Sequence, residues 1–222
     1  MSSPLRKALI LASNSPRRKA LLALGGRDFE VRPADVDESV QAGETPQAYV
    51  QRLAVEKVQK VGKKLRAGLV LAADTTVADE GRIFGKPEDA EDAREMLSSM
   101  RGKRHMVYTG LALLDAKSGE VVGDLATSEV PMRAYSDEEM EAYIASGDPF
   151  DKAGAYAIQH EGFHPVVDIQ QCYANVVGLP LCHAQRNLDK LAQAFDVDIA
   201  AACQTHLGYE CPVYAEVLSW EQ

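Results

Sequence analysis

The stretch Ala8-Leu9-Ile10-Leu11-Ala12-Ser13-Asn14-Ser15-Pro16-Arg17-Arg18-Lys19-Ala20-Leu21-Leu22-Ala23-Leu24 decides the fold. Its first part is a short apolar run of the kind buried in the sheet of an α/β protein. Its second part opens a helix: Ser15 is a capping residue, and Pro16 suits the first helical position because it has no N–H to leave unpaired. A strand that delivers the chain directly to a helix N-terminus brings free amides, the positive end of the helix dipole and the guanidiniums of Arg17 and Arg18 to one point. That arrangement suits a polyphosphate. Taken alone, the stretch also fits a capped surface helix with solvated arginines, and the rest of the chain has to separate the two readings.

Working outward, Gly25-Gly26 ends this helix, Phe29-Glu30-Val31 reads as a short extended piece, and Val36-Asp37-Glu38 falls in a polar loop. Thr45-Pro46 repeats the start signal for a helix reaching about Leu65, with Tyr49, Leu53, Val58 and Val61 on its apolar face. The run Leu69-Val70-Leu71-Ala72-Ala73 is uniformly apolar, as expected of a strand covered on both faces. The apolar run stops at Asp74, and the charged and turn-forming residues from Thr75 through Gly85-Lys86-Pro87 predict a loop. Ala90, Ala93, Leu97 and Met100 mark a further helix closed by Gly102. Residues 105–114 and 120–133 alternate and, joined by Ala116-Lys117-Ser118-Gly119, predict an antiparallel hairpin. Ser136 and Glu139 form a capping box for a helix that ends at Gly147. Residues 148–159 break every regular pattern before turning strand-like, residues 166–177 read as extended, and residues 181–195 as helical. The expected fold class is α/β, a mixed, largely buried sheet flanked by helices.

The 222 residues suffice for one large domain or two lobes sharing a cleft. A hydrophobic content of 46% with 26% charged residues is ordinary for a soluble globular chain. No apolar run approaches the ~20 residues of a membrane span, and the N-terminal apolar stretch is too short for a signal-peptide core, so a cytoplasmic protein without a membrane partner is expected. The net charge of −9 argues against broad binding to a nucleic-acid backbone. It leaves open a small anionic ligand held by locally clustered basic residues. The four cysteines, Cys172, Cys182, Cys203 and Cys211, make no CxxC pair. Cys203, His206 and Cys211 with Cys182-His183 match no zinc spacing, and free thiols are the expectation.

The polar breaks at residues 13–18, at Asp74 and at Asp151-Lys152 all fall at strand ends or in loops, where α/β sheets bind ligands. Arg17, Arg18, Lys57, Lys86 and Lys152 are suited to neutralising a triphosphate. Glu38, Asp74 and Asp151 are suited to holding a divalent cation through hard oxygens or to activating a water. Each has a plainer reading: Lys57 as a solvated helix side chain, Asp74 as a cap, and His105 as a core histidine with a satisfied ring.

Several segments, taken together, resemble the Maf family of nucleoside triphosphate pyrophosphatases. They are Ser13-Asn14-Ser15-Pro16-Arg17-Arg18, Arg52-Leu53-Ala54 with Lys57, Ala73-Asp74-Thr75, Gly85-Lys86-Pro87, Tyr108-Thr109-Gly110, Phe150-Asp151-Lys152-Ala153-Gly154-Ala155-Tyr156 and Asn175-Val176-Val177-Gly178-Leu179-Pro180. They occur in the family's order between about Ala8 and Leu191. The resemblance implies an inosine-triphosphatase-like fold with two lobes around a nucleotide cleft, in a chain that is often a homodimer. It makes residues 1–195 one catalytic domain and leaves residues 196–222 as a C-terminal tail of unassigned role. It implies cleavage of a nucleoside triphosphate to the monophosphate and pyrophosphate with a divalent cation, Mg2+ or Mn2+, as cofactor. Asp74 would be the catalytic carboxylate, and Ser13, Arg17, Arg18, Glu38, Lys57, Lys86 and Lys152 would hold substrate, with Asp74 and Glu38 as metal ligands.

Asp151-Lys152 followed by Ala155-Tyr156-Ala157-Ile158-Gln159 is similar to the branch acting on dTTP and UTP, with Gln159 reading the base. An amide offers both a donor and an acceptor to the O4/N3–H edge of thymine or uracil, whereas a carboxylate only accepts. Three positions depart from the family pattern: Thr76, the stretch Gln170-Gln171-Cys172, and the cysteine-bearing tail. Two rival functions remain, a purine-directed pyrophosphatase clearing inosine-type triphosphates and a non-enzymatic nucleotide-binding regulator of cell division.

Overall fold

The computed structural model describes residues 6–219. Its centre is a mixed sheet of β1 (Leu9–Leu11), β2 (Phe29–Val31), β3 (Leu69–Asp79), β4 (Arg82–Phe84), β5 (Arg104–Asp115) and β6 (Val121–Pro131), in the order β2-β1-β3-β5-β6 with β4 paired to β3. β1 runs parallel to β2 and β3, while β3, β5 and β6 are successive antiparallel neighbours. The helices are α1 (Pro16–Ala23), α2 (Pro46–Gly62), α3 (Ala90–Met100), α4 (Asp137–Ala145), α5 (Tyr173–Val177), α6 (Leu181–Lys190), α7 (Ile199–Leu207) and α8 (Tyr214–Ser219).

Side chains alternate along a strand, so a strand covered on both sides must be apolar at every position. β3 does this in its first half. Leu69, Leu71 and Ala73 join Leu9, Leu11, Leu111 and Leu113 in a core closed by Leu21 and Leu22 of α1 and by Leu181 and Leu188 of α6. Val70 and Ala72 face the other way, against Ala54, Val58 and Val61 of α2. The far half of the same sheet carries a separate core, in which Val77, Val107 and Val130 pack beneath Leu97 and Met100 of α3 and Tyr143 and Ile144 of α4. The long strands β3 and β5 thus run through both lobes, and the middle of β3 lies between them.

That continuity corrects the sequence reading of β3, which ended it at Asp74. The strand runs on to Asp79 because β5 pairs along its whole length, with Asp74 opposite Gly110, Thr75 opposite Thr109 and Val77 opposite Val107. Its backbone groups are therefore satisfied although the side chains turn polar. Residues 166–177 are not a strand. Val166 makes one isolated bridge to Met132, and the segment ends as α5, terminated by Gly178 in the left-handed region at φ 117°. Residues 148–159 fold into short 3-10 turns at Asp148–Asp151 and Ala153–Ala155, with no strand after them. The helix read over residues 181–195 ends at Lys190. Beyond residue 195, Ile199 and Cys203 of α7 are buried in the same core as Phe195 and α6.

Candidate active site

A cleft of about 600 Å3 opens between the lobes and is lined by Ser13, Arg17, Arg18, Glu38, Lys57, Asp74, Lys86, Lys152 and Gln159. All nine site residues expected from the sequence therefore share one cavity, of the size a small-molecule site requires.

The loop from β1 into α1 forms one wall. Ser15 caps α1 by accepting from the Arg18 amide at 3.4 Å, Pro16 occupies the first turn, and the Ser13 hydroxyl accepts from the Ser15 amide at 3.2 Å. This keeps Ser13 and the start of α1 turned toward the cleft, where free helix amides and the helix dipole favour an anion. Arg18 is held on three sides: Nε donates to the Gly178 carbonyl at 2.8 Å, Nη2 to the Thr75 hydroxyl at 3.1 Å and Nη1 to Ser13 Oγ at 3.4 Å. Burial lowers its pKa despite the attraction of Asp74. Thr75 is in turn 2.8 Å from Thr109 Oγ1, and Thr109 donates to the Asn175 carbonyl at 3.2 Å. Thr75, Thr109 and Asn175 stood within the quoted family segments, but the sequence reading gave them no role. The signal was an unexplained run of hydroxyl and amide residues beside buried strands.

The floor comes from Asp74 of β3, Lys57 of α2 and Glu38 in the loop before α2. Lys57, only 8% exposed in its side chain, lies 2.5 Å from Asp74 Oδ1 and 2.6 Å from Glu38 Oε1. It is thus a buried bridge between two carboxylates, not the solvated helix lysine of the plainer reading. The close approach of α2 to the sheet depends on Gly110, where a Cβ would lie 2.4 Å from the Val50 carbonyl oxygen. The loop carrying Glu38 is tied to α2 by the Tyr49 hydroxyl, which donates to the Glu38 carbonyl at 2.8 Å. Arg52 reinforces it, bonding the Ser39 carbonyl at 3.0 Å and Glu44 at 2.6 and 2.8 Å. Burial pushes the Asp74 carboxyl up against the pull of Lys57 and Arg18. Burial also opposes ionisation of Glu38, but the Lys57 hydrogen bond and the charges of Lys57, Lys86 and Arg18 together hold it below the usual range. The two carboxylates are driven in opposite directions, as at sites that must carry a base beside a fixed charge.

The far wall belongs to the second lobe. Asp151 reaches across to Arg17 Nη1 at 3.0 Å. Lys152 Nζ donates to the Asp148 carbonyl at 2.6 Å, to Asp148 Oδ1 at 2.9 Å and to Asp151 Oδ1 at 2.6 Å, so each of its donors has a partner in this wall. Asp148, to which the sequence analysis assigns no role, therefore positions Lys152. The Gly85 carbonyl, next to Lys86, accepts from the Gly154 amide at 3.0 Å and joins the two wall segments. Gln159 sits in an exposed turn at the rim, beyond Tyr156. His105 is buried behind Tyr156, with Nε2 2.8 Å from its hydroxyl. Its Nδ1 has no hydrogen-bond partner among the described residues, so the ring is only half satisfied there, contrary to the expectation.

Residues 8–191 match the family model described as Maf-like protein. Similar chains include the dTTP/UTP pyrophosphatase of Geotalea uraniireducens (strain Rf4), 48% identical over 174 residues, spanning 78% of this chain and 90% of that one. The dTTP/UTP pyrophosphatase of Dictyoglomus thermophilum is 43% identical over 188 residues, spanning 84% and 97%. That of Syntrophotalea carbinolica is 44% identical over 185 residues, spanning 82% and 84%. The solved structure of the Staphylococcus aureus Ham1 protein overlaps more loosely, with a TM-score of 0.42 at 17% identity over 58% of this chain and 73% of its own. By the family match over residues 8–191 and by relatives at this identity over most of its length, the chain belongs to the Maf-like protein family.

Proposed function

We propose that the protein hydrolyses dTTP and UTP to the nucleoside monophosphate and pyrophosphate. The observation that carries this reading is the convergence, in one cleft, of the buried Lys57–Asp74 pair and the Glu38 carboxylate bound to it with Arg17, Arg18, Lys86 and the start of α1. The names of the relatives supply the nucleotide class.

In the mechanism this arrangement supports, the triphosphate lies against the α1 N-terminus and the basic side chains. Lys57 fixes Oδ1 of Asp74 and so sets the plane of the carboxylate. Asp74, with its raised proton affinity, takes a proton from a water whose oxygen bonds the α-phosphorus. The bond from that phosphorus to the bridging oxygen breaks, and pyrophosphate leaves. Arg17, Arg18 and Lys86 stabilise the charge that builds on it, as positioned cations do in phosphoryl transfer.

Glu38 and Asp74 present hard oxygen donors within 2.6 Å of a common Lys57 ammonium. Among the described residues no three His, Cys, Asp or Glu side chains are grouped to hold a metal ion by themselves. Glu38 and Asp74 would hold Mg2+ or Mn2+, which bind through one or two carboxylates together with substrate phosphates. When bound, such a cation supplies Lewis-acid polarisation of the phosphoryl oxygens.

Among the described residues no helix is long and apolar enough to cross a membrane. We place the reaction in the cytoplasm and read the functional unit as a homodimer, which light scattering on the purified protein tests. The activity itself is tested by pyrophosphate release with Mg2+ or Mn2+ across dTTP, UTP, ATP, GTP and inosine triphosphate. Fastest turnover of dTTP and UTP is expected. A purine preference removes the base assignment, and no turnover of any triphosphate removes the enzyme.

A further inference from the structure

The cysteines meet away from the cleft. Cys172 stands at the N-terminal end of α5, Cys182 lies on α6, Cys203 on α7 and Cys211 in the turn before α8, and all four line one small, mostly apolar cavity. They are not equivalent. Cys182 and Cys203 are each only 8% exposed, and burial pushes their thiols up to about 12 and about 11, as for inert core thiols. Cys172 and Cys211 are partly exposed, and their side chains are neighbours in this cavity.

The backbone holds this pair in place from both sides. The Tyr209 hydroxyl lies 3.0 Å from the Ile169 carbonyl oxygen and 2.9 Å from that of Gln171, fastening the chain just before Cys211 to the chain just before Cys172. The Tyr209 ring rests against Tyr173, with centroids 5.5 Å apart, and the Cys211 amide donates to Gln204 Oε1 at 2.9 Å. Among the described residues no group of three metal-ligating side chains is placed to hold an ion.

The geometry points to a reversible redox site at Cys172 and Cys211, which close to a disulfide when the protein meets a hydroperoxide and reopen with a dithiol reductant. Cys211 is the attacking sulfur. The neighbouring Cys172 thiol, aided by the Val213 and Tyr214 amides and opposed by burial, lowers the pKa of the Cys211 thiol and favours the thiolate. Its sulfur displaces the peroxide oxygen–oxygen bond, forming a sulfenic acid and releasing hydroxide, which takes a proton from solvent. The Cys172 sulfur then attacks the sulfenic sulfur. The sulfur–sulfur bond forms, the sulfur–oxygen bond breaks, and water leaves with the Cys172 proton. The two thiols lose two electrons, and hydrogen peroxide is reduced to two waters.

The bond would tie the tail to a segment already wired to the cleft. The Cys172 carbonyl accepts from the Ser128 hydroxyl at 3.2 Å, and Ser128 Oγ accepts from Asn175 Nδ2 at 2.9 Å. The Asn175 carbonyl receives the Thr109 bond, and the far end of α5 is followed by Gly178, whose carbonyl holds Arg18. Oxidation therefore fixes α5 at the end opposite to the one Arg18 uses.

The test is made on the full, reduced protein with a small excess of hydrogen peroxide. Titratable thiols in the denatured protein should fall from the four of the sequence by one pair. Non-reducing peptide mass mapping should show a Cys172–Cys211 link, dithiothreitol should reverse it, and the oxidised protein should melt several degrees higher. A predominant link between other cysteines, thiol loss without an internal link, or an unchanged melting temperature overturns the proposal. In Cys172→Ser, which lacks the resolving thiol, a sulfenic-acid reagent should label Cys211. Labelling at Cys182 or Cys203 instead overturns the assignment of the attacking sulfur. None of these readouts involves turnover, so they stand apart from the fate of the pyrophosphatase reading.

Discussion

Lys57 Nζ lies 2.5 Å from Asp74 Oδ1, joining the middle of α2 to the middle of β3 at the point where the lobes meet. Both groups are nearly inaccessible, with side-chain exposures of 8% and 11%, so the pair is held in low-dielectric surroundings where a charge change has large consequences. Asp74→Asn keeps the shape but removes the proton acceptor and the charge facing Lys57. Turnover is expected to fall by about a thousandfold or more while the fold is retained. Pyrophosphate release together with a circular-dichroism melt checks this, and near-normal turnover in a folded variant takes Asp74 out of the mechanism.

Gly110 stands opposite Asp74 on β5 and also beneath α2. A methyl group there meets the Val50 carbonyl oxygen at 2.4 Å and the Gln51 amide nitrogen at 2.7 Å, and backbone cannot rotate out of the way. Gly110→Ala must therefore lift α2 from the sheet, and Lys57 with it. A loss of about 2 kcal/mol or more in urea unfolding is expected, as for overpacked cores, with a matching drop in kcat. Wild-type stability would show that α2 has slack at this contact.

The same contacts explain what was and was not legible in the sequence. The first half of β3 announced itself because both its faces are buried and every residue is apolar. Its second half, beginning Asp74-Thr75-Thr76, reads like a turn, because Asp74 and Thr75 are satisfied by Lys57, Arg18 and Thr109, partners from distant parts of the chain. The α1 cap was readable because it is local chemistry between Ser15, Pro16 and the Arg18 amide. α5 was misread as extended because it is too short to show a helical period and its end depends on Gly178. Motif order marked the cleft-lining residues, but the sequence does not disclose that Lys57 serves two carboxylates or that Asp148 occupies Lys152. Nor does it show Cys172 beside Cys211, because that contact exists only once the tail has folded back on the first lobe.

Gln159 projects from the turn that follows Tyr156 at the rim of the cleft. If its amide reads the pyrimidine edge, Gln159→Glu leaves the base N3–H an acceptor but sets a carboxylate against the O4 acceptor. One unmatched polar contact of this kind costs about 1–3 kcal/mol. The kcat/KM values for dTTP and UTP should fall about 10- to 100-fold, with ATP and GTP far less affected. An unchanged preference among these triphosphates would place base selection elsewhere in the wall.

His105 offers a test of stability that is separate from catalysis. The ring is 2% exposed, its Nε2 is bonded to the Tyr156 hydroxyl, and burial brings its pKa down to about 4. In the unfolded chain the ordinary value is about 6.5, so between these limits the unfolded state binds a proton that the folded state refuses. Stability from this residue is therefore fully present above about pH 6.5 and is lost as the pH falls toward about 4, at up to ~1.4 kcal/mol per pH unit and about 3 kcal/mol in all. His183, whose pKa burial likewise lowers to about 4, contributes in the same window, so the measurement has to be a difference. In His105→Gln, which keeps an amide for the Tyr156 hydroxyl, the urea-unfolding free energy should decline less steeply from pH 6.5 to pH 4 than in the wild type. Parallel curves for the two proteins would mean that His105 takes up its proton in the folded state as readily as in the unfolded one.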